Sequence, residues 1–423
     1  MLLRVITRRF TFLFHTLILL MPPPTLYRRN AGLDTLRACA IALVFMYHYM
    51  VFVSHTPTFG WLSTVGWVGV DLFFVLSGYL IADQLLRGVQ RGQPLSLWRF
   101  YLRRALRTWP AFWVVLAAYF IFPAIMGGKP PPPLWRFLTF TQNLGLQPGT
   151  AFSQAWSLCI EEQFYLVLPL ALLAAVAMRL RRWPAWCVLA LLVASGMGLR
   201  AYLWRHYGLE EGGAVRGYMS HVYYATLCRF DEFLPGVAVA LVRHAHPALW
   251  QRLMDHGRKV LLAGVAACTA LLYGALHHYY IDGYGYGFFM TAFGYSLLAM
   301  AFALLVIGAL SPHTLLHRAH IPGARQLALW SYSIYLIHKP VGNIVGKLAV
   351  QWQLPASVTL AATLVLSLLV GALLFYLVEQ PFMRLRARLA PTNFAPDKNP
   401  GRMDPPGAAG ILRTMPSRKV IRR

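Results

Sequence analysis

The chain has 423 residues, of which 58% are apolar and 13% charged, against about 45–50% and about 25% in soluble domains. Such a chain cannot cover several soluble cores with polar surface, and collagen-like, disordered and disulfide-scaffold classes are excluded as well. Its charge is one-sided, 39 Lys and Arg against 14 Asp and Glu for a net +25. In a soluble protein this would suggest nucleic acid. In an apolar one it is tested first against membrane topology, because basic residues gather in short cytoplasmic loops. The five cysteines form no CxxC pair, so neither a metal site nor a disulfide framework is implied.

Residues 1–30 read as an N-terminal extension. Arg4, Arg8 and Arg9 precede an apolar run from Phe10 to Met21, closed by Pro22-Pro23-Pro24. The run is short for a spanning helix and lacks the small-residue cleavage site of a signal peptide. That leaves an interfacial helix or, the preferred reading, a start at Met21. Residues 31–385 then hold ten apolar segments, at 36–56, 66–86, 109–126, 157–178, 184–203, 227–243, 260–278, 288–309, 327–350 and 356–378. Each is near spanning length and set off by turn or charge clusters. The expected fold is all-α, a polytopic membrane bundle of about ten transmembrane helices with both termini cytoplasmic. On that arrangement 30 basic residues fall in cytoplasmic segments and 7 in external ones, Arg37 and Lys339 lying within helices. The positive-inside rule absorbs the charge with no nucleic acid. The segment at 227–243 fits least well, carrying Arg229, Asp231 and Glu232. The run Pro130–Pro133 is a stiff external connector. Residues 386–423 read as a disordered basic tail with affinity for an anionic leaflet.

Ionisable side chains inside spanning segments are functional hypotheses by default. Arg37 and His48 are eleven residues apart, almost three helical turns, so they share one face about 16 Å apart. A snorkelling arginine and a hydrogen-bonded core histidine would satisfy the same pattern. Asp71 stands among aromatics in Gly69-Val70-Asp71-Leu72-Phe73-Phe74, with Ser77-Gly78 following, and needs a basic or hydroxyl partner, for which His48 or Arg37 are available. Glu161 and Glu162 open a helix in Trp156-Ser157-Leu158-Cys159-Ile160-Glu161-Glu162-Gln163-Phe164-Tyr165. The helix dipole alone favours acids there, while Glu161 and Tyr165 share a face. Arg104-x-x-Arg107, in a basic loop that topology by itself demands, presents two guanidiniums able to grip a phosphate. Tyr335 and His338 share a face of the Ser331–Pro340 block, which ordinary polar packing would also explain.

Taken in order, these blocks resemble acyltransferase family 3, the membrane acyltransferases that include bacterial O-antigen and exopolysaccharide O-acetylases. The resemblance is carried by Arg37 with His48, the Gly69-to-Gly78 block, Arg104-x-x-Arg107, Trp156-Ser157-Leu158 through Tyr165, Ser331 to His338, and Glu379-x-Pro381-Phe382. It spans residues 33–385, and the ordered set is far more specific than any one block.

The resemblance implies transfer of an acyl group, usually acetyl from a cytoplasmic acyl-CoA, to a hydroxyl of a cell-surface or exported glycan, in a bacterial inner membrane. The expected partners are the bilayer, acetyl-CoA as co-substrate and a carbohydrate or lipid-linked acceptor, with no bound cofactor, metal or nucleic acid. By motif match His48 is the catalytic histidine and Arg37 its companion, while Arg104 and Arg107 handle the donor. Asp71 or Glu161 would orient the His48 ring. Ser77, Tyr165, Tyr335 and His338 complete the substrate-binding set. Some family members carry an additional hydrolase-like domain, in place of which this sequence has a short basic tail. A transporter using the buried His, Arg and Asp as a relay is the alternative from another class, although no inverted repeat supports it.

Overall fold

The computed structural model describes residues 30–128, 130–178, 182–209 and 214–395. The preferred start at Met21 and the tail beyond residue 395 lie outside the described residues.

Helices make up nearly all the regular structure described. In chain order the main ones are α1 (Ala31–Tyr49), α2 (Gly69–Gln90), α3 (Leu97–Ile121), α4 (Trp156–Ala177), α5 (Arg182–Tyr207), α6 (Leu234–Ala245), α7 (Gly257–His278), α8 (Tyr295–Leu310), α9 (Ala324–Gln351), α10 (Ala356–Leu374) and α11 (Gln380–Leu389). One two-residue hairpin pairs Tyr280–Ile281 with Gly285–Tyr286. Helix α1 continues into a π-helical turn, Met50–Ser54, and a second such turn, Phe375–Glu379, joins α10 to α11.

Seven helices among the described residues are long and apolar enough to cross a membrane: Ala31–Ser54, Trp61–Gln90, Ser153–Ala177, Arg182–Tyr207, Gly257–His278, Met290–Leu310 and Ala356–Leu389. These coincide with seven of the ten expected segments. The other three differ for a physical reason in each case. In α3 the first turns carry Arg99, Arg103, Arg104 and Arg107. In α9 a buried polar face, with Ser331, Ser333, His338 and Lys339, dilutes the apolar run. The segment at 227–243 is not one helix: 3-10 turns at Thr226–Cys228 and Phe230–Phe233 precede α6. At about 1.5 Å per residue, its twelve residues reach about 18 Å, short of a bilayer core of about 30 Å.

Helix α1 lies against α2, α8 and α9, and α2 lies against α6. Small residues allow these approaches, as expected where lipid removes the hydrophobic drive between helices. A Cβ on Gly69 would strike the Ala40 carbonyl, and one on Gly66 the Leu43 carbonyl, so the entry to α2 is seated on the middle of α1. Gly78 faces the Phe233 carbonyl, and Gly236 faces the backbone of Val75 and Tyr79. The outward faces of α5 and α7 are rich in exposed apolar side chains such as Leu191 and Leu262.

Residues 386–395, expected to open a disordered tail, are ordered in the structure. Helix α11 runs to Leu389, and the following segment folds back on the ends of α2 and α3. Ser96 N donates to Asn393 O at 3.1 Å, Ala395 N donates to Pro94 O at 3.0 Å, and the Phe394 ring fills the space a side chain on Gly88 would need.

Substituting Gly78→Val pushes a branched side chain into the Phe233 backbone. We expect a loss of about 1–3 kcal/mol, read as a lowered Tm in detergent. Gly198→Ala, whose added Cβ meets nothing within 4 Å, should leave Tm unchanged.

Candidate active site

The site is built around the end of α1 and the middle of α9. Pro340 lies inside α9, and a proline there deprives the carbonyl four residues earlier of its helical donor. That carbonyl, Leu336 O, is taken instead by Gln154 Nε2 at 3.3 Å. Gln154 O in turn accepts the Tyr335 hydroxyl at 2.8 Å, and Ser157 Oγ lies 2.6 Å from the same hydroxyl. The Ser331–Pro340 block is thus pinned, just ahead of His338, to the start of α4 and the turn before it.

His338 is buried, 3% exposed, and its Nδ1 sits 3.0 Å from Ile334 O. A carbonyl only accepts, so Nδ1 carries the hydrogen, and in the neutral ring Nε2 is an acceptor. That nitrogen lies 2.6 Å from His48 Nδ1. His48 Nδ1 is therefore the donor, and the lone pair of a neutral His48 is on Nε2. The two rings stack with centroids 4.8 Å apart. His48 Nε2 has no protein partner among the described residues. Both rings line a small, partly open cavity with Phe45, Tyr49, Phe52 and Lys339. The π-turn after Tyr49 interrupts regular helix immediately beyond His48, a placement common at functional sites.

A second group lies along α4. Glu161 Oε1 accepts from Ser77 Oγ at 2.5 Å and from the Tyr165 hydroxyl. Tyr165 also reaches Ser77 Oγ at 3.2 Å. The Arg104 guanidinium sits over the Tyr165 ring at 5.6 Å and the Phe100 ring at 5.9 Å. It makes no hydrogen bond or salt bridge among the described residues, and its Nε is buried without a partner. Glu162 instead takes Thr108 Oγ1 at 2.7 Å and Trp109 Nε1 at 3.2 Å. Arg107 lies 4.0 Å from Glu379, whose other oxygen accepts from Ser333 at 3.0 Å. The charges of Arg37 and Arg386 also act on Glu379, and Arg386 lies close enough to Arg103, Arg104 and Arg107 to feel all three. Three guanidiniums act on the Glu379 carboxylate, and with Arg103 and the unpaired Arg104 close to Arg386 they form a basin that attracts anions.

The expected residues therefore separate into three places. His48, His338 and Tyr335 come together, the Tyr335 and His338 rings being 5.8 Å apart. Ser77, Glu161 and Tyr165 join Arg104, while Arg107 and Arg37 gather near Glu379. Asp71 belongs to neither end. The expectation that it meets His48 or Arg37 is corrected: its carboxylate is bonded to Arg229, which also binds Glu232 and Tyr223 O. Orientation of the His48 ring likewise passes from Asp71 or Glu161 to His338. Asp71 reaches a stronger partner first, and Glu161 lies one turn along α4 from Ser157, facing Ser77. The sequence reading missed Arg229, Glu232, Lys339 and Gln154 as members of this architecture. The first two carried a usable signal, being charges in an apolar segment; Gln154 carried none.

The family described as an acyltransferase domain matches residues 30–377. The chain belongs to acyltransferase family 3. It is 29% identical over 341 residues to the peptidoglycan O-acetyltransferase OatA of Listeria monocytogenes, covering 76% of this chain and 51% of that protein. It is 31% identical over 333 residues to the putative peptidoglycan O-acetyltransferase YrhL of Bacillus subtilis, 74% of this chain and 49% of the other. With the O-acetyltransferase OatA of Staphylococcus aureus it shares 27% identity over 385 residues, 84% of this chain and 57% of the relative. The chain thus spans about half the length of the curated relatives it matches. No solved structure matches it. The family and the apolar helices together make this a multi-pass membrane protein.

Removing Arg229 strands two buried carboxylates, so Arg229→Met is expected to cost about 3–5 kcal/mol. The folded fraction on size exclusion in detergent should collapse. Asp71→Asn, which leaves Glu232 to balance Arg229, should retain a folded peak.

Proposed function

We propose that the chain is an integral-membrane O-acyltransferase that moves an acetyl group from cytoplasmic acetyl-CoA to a hydroxyl of a cell-envelope glycan. The reading includes ten crossings of a bacterial inner membrane with both termini cytoplasmic, the sixth made by α6 together with the 3-10 turns that precede it. One observation carries it: the bonds at His338 and His48 leave an imidazole lone pair on His48 Nε2 at a cavity. A neutral imidazole suits the removal of a hydroxyl proton near neutral pH. His338 holds the ring and its tautomer and shares the charge when His48 becomes cationic. The Arg104, Arg107 and Arg386 basin supports the second half of the reading, because the donor's phosphates need fixed cations and its acyl end does not. Between the two lie Ser157, Glu161 and Tyr165 at i, i+4 and i+8 on α4, one polar face running about 12 Å. Peptidoglycan, on which the similar O-acetyltransferases act, is the favoured acceptor, through the sugar hydroxyls it exposes.

The test is acetyl-CoA turnover by purified protein in lipid with envelope glycan as acceptor, products being weighed for added acetyl. His48→Ala should abolish transfer at unchanged Tm, and transfer persisting in that variant would sink the assignment. His338→Phe should lower kcat by about 10²–10⁴-fold, since the ring then lacks its acceptor. Arg104→Ala should raise KM for acetyl-CoA at least ten-fold while kcat changes little. An absence of CoA release with any acceptor would favour the transporter reading.

A further inference from the structure

The cavity beside the histidine pair contains a charged side chain with no role in the reading above. Lys339 follows His338 in α9, is 7% exposed, and lines the same cavity as His48. Its Nζ donates to Ser153 Oγ at 2.6 Å and lies 4.4 Å from the centre of the Phe52 ring. Among the described residues no carboxylate pairs with it. An ammonium has three N–H groups; the serine oxygen takes one, and the ring face attracts the charge without using a directed bond.

A cation buried without a counter-ion is expensive, and besides Lys339 the bundle holds such a cation in Arg104, in the basic basin. The two guanidiniums buried most completely, Arg200 and Arg229, are each bonded to carboxylates. Lys339 departs from that pattern beside the ring whose lone pair is available. The other cavity donors are mostly spent. Both His338 nitrogens and His48 Nδ1 are engaged, and the Thr363 hydroxyl donates to Thr359 O at 2.7 Å. Only the Tyr49 hydroxyl and Lys339 remain, and Lys339 alone is cationic.

We propose that Lys339 is the catalytic residue that holds the oxyanion formed during acyl transfer. The inference rests on the acyltransferase reading. As the acceptor oxygen bonds to the thioester carbonyl carbon, its proton passes to His48 Nε2 and the carbonyl electron pair moves onto oxygen. The Lys339 ammonium faces that negative oxygen. When the carbonyl re-forms, the carbon–sulfur bond breaks and the departing thiolate takes the proton from His48. Lys339 neither gains nor loses a proton in this sequence. Its fixed charge stabilises the tetrahedral state more than the thioester, the condition for accelerating the chemical step.

The experiment compares wild type, Lys339→Gln and Lys339→Cys in lipid, the last before and after aminoethylation with 2-bromoethylamine, which restores an ammonium at nearly the original distance. Wild type treated in the same way controls for the native cysteines. Lys339→Gln should lower kcat by about 10²–10³-fold, with both KM values changing less than about three-fold and Tm less than about two degrees. Aminoethylated Lys339→Cys should regain at least ten-fold over the untreated variant. Undiminished kcat in Lys339→Gln would overturn the proposal. So would a loss confined to KM for an acidic acceptor, which would make Lys339 an anion-recognition group, or a loss that follows a lowered Tm and resists aminoethylation. If wild type itself transfers no acetyl, the acyltransferase reading fails and this role falls with it. Active wild type with an unaffected Lys339→Gln removes the role alone.

Discussion

A guanidinium with no exposed surface, in a bundle whose outer faces are apolar, must find every compensating group inside the protein. Arg229 does so by drawing together parts of the chain that regular helices would keep apart. It bonds Asp71 from α2, Glu232 three residues ahead, and the Tyr223 carbonyl six residues behind. The Tyr295, Tyr223 and Trp156 rings lie around it at 4.2, 4.7 and 5.1 Å. A continuous α-helix through 223–232 would not bring a carbonyl at i−6 and a carboxylate at i+3 to the same side chain. The chain there breaks into 3-10 turns, and α6 is left too short to span by itself. Next to it Arg200 repeats the solution, holding Asp231 through two bonds at 2.7 and 3.0 Å and Ser296 at 2.5 Å.

Those two arginines give a standard against which the remaining charges can be judged. A buried charge kept for architecture is neutralised, because leaving one partner unpaired costs more than the pair contributes. Arg104 and Lys339 are buried and lack that neutralisation, and His48 Nε2 faces a cavity with no protein partner. Packing explains the first class and not the second. The distinction also separates Glu161 from Glu162. Glu162 is closed off by Thr108 and Trp109, whereas Glu161 sits in a chain of hydroxyls that continues toward Arg104.

Much of this was legible in the sequence, and the parts that were not share a cause. Apolar length located seven helices because crossing a bilayer is a constraint on each segment separately. The face shared by Tyr335 and His338, and the pairing of Glu161 with Tyr165, followed from helical spacing alone. Partner choice did not. Asp71 binds a residue 158 positions away, and no local pattern ranks Arg229 above His48 or Arg37 for it. The His48–His338 bond joins residues 290 apart, so the histidine that sets the tautomer looked like ordinary packing. Lys339 was hidden for a different reason: as a single cation in a helix it was accounted for as an exception to the loop charges.

The spacing between the two ends of the site constrains the donor. The Ser157–Tyr335 contact marks the histidine end of α4, and Tyr165 with Arg104 marks the basic end, about 12 Å along the helix. Arg37 and His48 are separated by about 16 Å on α1. A compact acyl phosphate cannot engage the guanidiniums and present its carbonyl to His48 at once. A donor whose anionic head and acyl end are joined by a long, thin, mostly uncharged arm can do both while the helices stay in place. The close glycine contacts at Gly66, Gly69, Gly78 and Gly236 argue for that second arrangement, since backbone packed against backbone leaves little room for α1, α2 and α6 to slide. On the proposed acyltransferase reading, a rigid bundle sets a fixed distance between the basic end and the His48 imidazole, and that distance selects the length of the donor.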